Sequence, residues 1–178
     1  AASETLVTSA VAAGDVDGDG RIDIVTAHPF AQNTVYLSAG QGEFRPGIGV
    51  GSDFDKTRGA ALADIDGDSD VDLIFVNDSQ PGVIYRNNGA GELVLAQQLG
   101  SGLEKPTDAA LADLNGDGFL DLLVAQDGRP AGANAVYLNS GAARSAEAPL
   151  FLPAARLGDS DIRTTAAVAG NFDQKVFL

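Results

Sequence analysis

The chain has no cysteine, no methionine and no tryptophan, and one histidine among its 178 residues. Without cysteine there is no disulfide from which to read a redox compartment, and thiolate zinc sites are excluded. A single histidine, no thiol and no G-x-S-x-G elbow leave little for nucleophilic or general acid–base catalysis. The lack of tryptophan weakens the case for a sugar site built on aromatic stacking. No apolar run approaches the ~20 residues needed to cross a bilayer. Positive charge is scarce, with 11 Lys and Arg against 25 Asp and Glu and a net charge of -14. That argues against nucleic acid or an anionic membrane as direct partners. The chain opens Ala1-Ala2-Ser3, with neither an initiator Met nor a charged segment ahead of an apolar one. Any secretory leader is therefore expected to have been removed or to lie outside this sequence.

A hydrophobic content of 44% with 20% charged residues suits a folded domain. The acids are unevenly placed. Twelve of the 25 fall in three short stretches, and the other 13 nearly balance the basic residues. The stretches are DVDGDGRID from Asp15, DIDGDSDVD from Asp64 and DLNGDGFLD from Asp113, so the period is 49 residues twice over. The flanks repeat as well: VAAG, ALAD and ALAD precede the loops, and DIVTA, DLIFV and DLLVA close them. Val35-Tyr36-Leu37, Val83-Ile84-Tyr85 and Val136-Tyr137-Leu138 follow, so all three tyrosines hold one repeat position. Glycine-rich turns come next at Gly40–Phe44 and Gly89–Leu93, while the third copy carries a longer insert, Gly141 to Pro149. A fourth copy begins at Ala167–Asp173 and then departs, with Gln174-Lys175 in place of the Gly-Asp core. No good metal site is expected there.

A period in this range with several short strands predicts propeller blades. Each copy reads as four strands. The first copy places them near Ser9–Ala13, Ile22–Ala27, Thr34–Ser38 and Phe44–Val50. The second places them near Gly59–Ala63, Val71–Asn77, Val83–Arg86 and Leu93–Leu99. The third places them near Ala109–Ala112, Leu120–Ala125, Ala135–Asn139 and Leu150–Arg156. Ile-Val-Thr-Ala and Leu-Ile-Phe-Val are apolar on both sides of the pleat, as in a strand sandwiched between neighbouring blades. The fold expected is all-β: one partial propeller over 1–178, about three and a half blades of four antiparallel strands. Its repeats run about 1–52, 53–101 and 102–158, with a truncated fourth over 159–178.

Like charges packed this closely repel, so the acidic loops ask for a cation. Oxygens at loop positions 1, 3 and 5 converge if the backbone turns sharply, which Gly18, Gly67 and Gly116 allow. The first loop offers Asp15, Asp17, Asp19, the Arg21 carbonyl and Asp23. The second offers Asp64, Asp66, Asp68, the Asp70 carbonyl and Asp72, and the third offers Asp113, Asn115, Asp117, the Phe119 carbonyl and Asp121. An all-oxygen, multiply charged cage suits calcium better than magnesium, which demands near-ideal octahedral geometry. Asn115 lowers the ligand charge of the third loop, so that loop should bind most weakly. An EF-hand is excluded because position 12 is Thr26, Phe75 or Val124 rather than Glu, and a strand follows.

A small-residue strand, D-x-[DN]-G-D-x-x-x-D, an Asp-Leu/Ile-Val strand, V-Y-L-x-x-G and then G-x-G-x-F together resemble the FG-GAP/VCBS repeat. This is the repeat of integrin α-subunit propellers and of many bacterial secreted proteins. The resemblance covers nearly the whole chain. It implies β-propeller blades, with about three Ca2+ per chain held between the first and second strands of successive blades. It also implies that ligands meet the opposite face, on loops that here include His28, Phe30, Phe54, Lys56, Arg58, Gln80 and Arg129. His28 is expected at the surface. The expected role is a secreted or cell-surface module for adhesion or for recognising an extracellular protein or glycan. A structural spacer, or the propeller part of a polysaccharide-active enzyme, is the alternative. Three blades do not close a ring, so either further chain or self-association is expected to complete it.

Overall fold

The computed structural model describes residues 6–102, 104–127, 133–141, 149–153, 155–158 and 163–167. They form three four-stranded antiparallel sheets, one per repeat. The first blade is β1 (Ala10–Gly14), β2 (Asp23–Ala27), β3 (Asn33–Tyr36) and β6 (Ile48–Val50). Between its last two strands sits a small hairpin, β4 (Ser38–Gly40) with β5 (Glu43–Phe44). The second blade is β7 (Thr57–Ala63), β8 (Asp72–Asn77), β9 (Gly82–Asn87) and β10 (Leu93–Leu99). The third is β11 (Pro106–Ala112), β12 (Asp121–Gln126), β13 (Asn134–Tyr137) and β14 (Ala155–Leu157).

The first three strands of every blade lie close to where the sequence places them. The fourth differs in two blades. In the first, the expected run over Phe44–Val50 splits into β5 and β6, because Pro46 has no N–H to give a ladder. In the third, Pro153 interrupts the run over Leu150–Arg156, leaving a single bridge at Phe151 and then β14. The insert at 142–148 and residues 168–178 of the fourth copy lie outside the described residues.

The innermost strands stand side by side, β1 against β7 and β7 against β11. Small residues permit this approach. A Cβ on Gly59 would lie 2.8 Å from Val76 Cγ2 and 3.3 Å from the backbone N of Ala109. The apolar side chains fill two seams. Between the first and second blades, Val16, Val25, Val35 and Leu37 meet Leu73 and Phe75. Between the second and third, Ile65, Ile74, Val76 and Ile84 meet Leu122, Val124 and Tyr137. Residues 72–77 of β8 are all buried, as expected for a strand covered on both faces. By contrast β2 alternates, with Ile24 and Thr26 half-buried, because no described blade covers its outer side.

Candidate metal centre

Each acidic loop joins the first strand of a blade to the second and is wrapped around its own leading aspartate. Asp15 accepts from the N–H groups of Asp19 (3.1 Å) and Gly20 (2.8 Å). Asp64 accepts from Gly67 (2.7 Å) and Ser69 (3.0 Å), and Asp113 from Gly116 (2.7 Å) and Gly118 (3.0 Å). These turns need left-handed backbone at position 4, where Gly18, Gly67 and Gly116 have φ of 69°, 76° and 80°. Ser69 reaches φ 78° at position 6, where the other loops have glycine.

The ninth-position aspartates are buried and pin the loop base to the sheet. One carboxylate oxygen accepts from position 2: Val16 to Asp23 at 2.7 Å, Ile65 to Asp72 at 3.1 Å, Leu114 to Asp121 at 2.9 Å. The other accepts from the residue two beyond the repeat tyrosine: Ser38 at 2.7 Å, Asn87 at 2.9 Å, Asn139 at 2.8 Å. A carboxylate has about four acceptor sites, so this framework role leaves room for a metal bond.

The side chains brought together differ from loop to loop. In the first, Asp15, Asp17 and Asp19 place ligand oxygens within 4.8 Å of one another, without Asp23. In the second, Asp64, Asp66 and Asp72 do so, without Asp68 or Asp70. In the third, the Asn115 amide donates to Asp117 at 2.9 Å, an internal bond that replaces a third charge. The position 7 side chains turn toward the turn after the third strand. Arg21 donates to the Ser38 carbonyl at 3.2 Å and to Asp19. A Cβ on Gly89 would lie 2.4 Å from Asp70 Oδ1, and one on Gly141 would lie 3.0 Å from the Phe119 ring.

Position 3 carries a feature that the sequence does not disclose. Asp17 uses Oδ2 for Arg45 at 3.4 Å, and Asp66 uses Oδ2 for Arg86 at 3.1 Å. In both residues Oδ1 is buried with no hydrogen-bond partner. Burial and then the neighbouring Asp19 or Asp68 push both carboxyls above the usual range. Burial also pushes Asp72 up to about 6, against its two backbone hydrogen bonds. Asp113 is held below the usual range by the backbone N–H groups around it, that of Gly118 foremost. Buried carboxylate oxygens without donors are costly, and a cation among them removes that cost.

At the opposite end, His28 is buried rather than at the surface. Its ring contacts Val7 O at 3.1 Å and Thr26 Oγ1 at 2.9 Å, because the preceding strand directs it into the fold. Phe30 and Phe54 are 67% and 80% exposed, with the Lys56 ammonium 5.7 Å from the Phe30 ring centre. Gln80 accepts from the Lys56 N–H at 2.8 Å and donates to Phe54 O at 3.2 Å. Arg129 lies outside the described residues.

A model of the FG-GAP-like repeat matches residues 15–75 and again 64–124, more than half of the chain and in register with the 49-residue period. The chain belongs to the FG-GAP-like repeat family. No curated protein matches it. Membership agrees with the fold: this FG-GAP chain is a repeat module of antiparallel four-stranded blades. No described helix is long and apolar enough to cross a membrane.

Proposed function

We propose that this FG-GAP module binds calcium in its acidic loops and serves, without catalysis of its own, in extracellular adhesion or in recognition of a protein or glycan. The observation that carries the calcium reading is the pair of buried, partnerless oxygens, Asp17 Oδ1 and Asp66 Oδ1, each inside a cluster of three carboxylates. Such a cluster is unfavourable without a cation, and its ligands are all hard oxygens. Asp15, Asp17 and Asp19 would hold one ion and Asp64, Asp66 and Asp72 another, with Asp113 and Asp117 forming a weaker third site. Bound calcium would offset the charge of the loops and, in the second, tie the loop to the sheet through Asp72. The reading includes an extracellular location, where calcium would be concentrated enough to fill weak sites.

Thermal unfolding with calcium and with EGTA, together with metal counting, tests the proposal. Two tightly bound ions, a third weaker one and a higher melting temperature in calcium are expected. No bound ion and no shift would reduce the loops to acidic turns.

A further inference from the structure

Asn87 ends the third strand of the second blade and is buried. Every polar atom of its side chain is engaged. The amide NH2 donates to Val16 O at 2.7 Å and to Val71 O at 2.9 Å, and the amide oxygen accepts from the Asn88 N–H at 2.9 Å. Its own backbone N–H donates to Asp72 at 2.9 Å. The two carbonyls it grips share a feature. Each belongs to the peptide unit that leads into a clustered carboxylate: Val16 precedes Asp17 in the first loop, and Val71 precedes Asp72 in the second. A peptide unit is planar and rigid, so one side chain sets the backbone from which a candidate ligand of each loop projects.

The turn that follows adds a second link. Gly89 and Gly91 have φ of 72° and 78°. A Cβ on Gly18 of the first loop would lie 2.6 Å from Gly89 O, and one on Gly91 would lie 3.6 Å from Asp17 Cβ. Gly89 also lies against the Asp70 carboxylate of the second loop. Residues 87–91 thus touch both acidic loops. The first blade shows the same repeat position without the bridge. Ser38 keeps the N–H bond to its own Asp23 at 2.7 Å, but its short hydroxyl accepts from the Gly40 N–H at 3.2 Å.

An ion in either loop draws repelling carboxylates together and fixes the peptides that carry them. Asn87 passes that constraint on, so the other loop has less freedom left to lose when it binds. Coulomb forces between the sites act the other way, because a dication in one loop weakens the negative potential at the other. The sign of the coupling therefore separates the two effects.

We propose that the first two acidic loops bind calcium with positive cooperativity, with Asn87 as the coupling residue. This coupling rests on the calcium reading above and adds how its sites regulate one another. Each ion raises the affinity for the other by the same factor.

Calcium titration by calorimetry tests it, with the Gly18 and Gly20 amide signals in NMR reporting on the first loop. The full chain is compared with Asp66→Ala, which removes a carboxylate from the second loop, with Asn87→Ser and with the double variant. In Asp66→Ala the first loop should bind calcium about fivefold more weakly or worse. In the Asn87→Ser background the same change should matter by about twofold at most. Equal first-loop affinity with and without Asp66→Ala, or a fivefold loss that survives Asn87→Ser, would overturn the coupling. If Asn87→Ser does not fold, amide exchange at saturating calcium decides. The Val16 and Asp19 N–H groups, bound to Asp23 and Asp15, should exchange faster in Asp66→Ala, and equal rates would overturn the coupling. Two ions bound independently keep the calcium reading and lose this one, whereas no calcium uptake overturns both.

Discussion

The side-chain amide of Asn87, in the second blade, donates to the backbone carbonyl of Val16, in the acidic loop of the first, at 2.7 Å. Asn139 of the third blade makes the same bond to Ile65 of the second, at 2.8 Å. The first two loops are thus each tied to the following blade by a residue whose own N–H binds the ninth aspartate of its own blade. Loop order and blade docking are one structural unit. Replacing Asn87 with Leu should cost about 1–3 kcal/mol, because the buried Val16 carbonyl loses its donor. Denaturant unfolding measures this, and a cost within error would mean that the bond merely accompanies packing.

Position 2 of the loop gives a paired comparison. Ile65 is 1% exposed beneath the third blade, whereas Leu114, at the same repeat position, is 46% exposed. Ile65→Ala should lose about 2–5 kcal/mol, while Leu114→Ala should stay within about 0.5 kcal/mol. Equal losses would show that something covers Leu114 in solution.

Calcium affinity should follow ligand charge. Asn115→Asp adds a carboxylate to the third loop and ends the amide bond to Asp117. It should tighten that site about tenfold, and Asp17→Asn should weaken the first site by a similar factor. Calcium titration followed by calorimetry reads both.

Stability without calcium should depend on pH with an unusual sign. Asp72 is pushed up to about 6 from an ordinary 3.8, and Asp17 and Asp66 are raised too. The folded state therefore holds protons that the unfolded chain has released, so apo stability falls as pH rises from about 4 to about 6. Calcium should flatten or reverse this slope, since it binds the ionised carboxylates. Melting temperatures across that range, with calcium and with EGTA, check it; a rising apo curve would contradict the burial of these groups.

Ser69 holds φ 78° where the other two loops have glycine. Its N–H bond to Asp64 is a backbone contact that any residue retains. Ser69→Gly should therefore stabilise the chain by about 0.5–1 kcal/mol, the relief of left-handed strain less the added freedom of the unfolded chain.

Much of this protein could be read from its sequence. The 49-residue period, the glycines at position 4 and the alternation around the tyrosines are local signals, set by backbone sterics and the two-residue pleat, so they located three blades and three loops. The same local logic failed at Pro46 and Pro153, where a break in the ladder outweighed an apolar run. It failed again at His28, whose burial depends on Val7 and on the strand before it.

What the sequence determined was which residues are repeated and which carry oxygen ligands. What only the tertiary structure decided was how equivalent residues come to differ. Asp23 and Asp72 share a repeat position, yet only Asp72 joins its carboxylate cluster. Val16, Ile65 and Leu114 share another, yet the third is open to solvent. The partnerless oxygens of Asp17 and Asp66 are likewise invisible in the chain. Burial and pairing belong to the seams between blades, and the contacts there join residues more than 70 positions apart, beyond the reach of any local pattern.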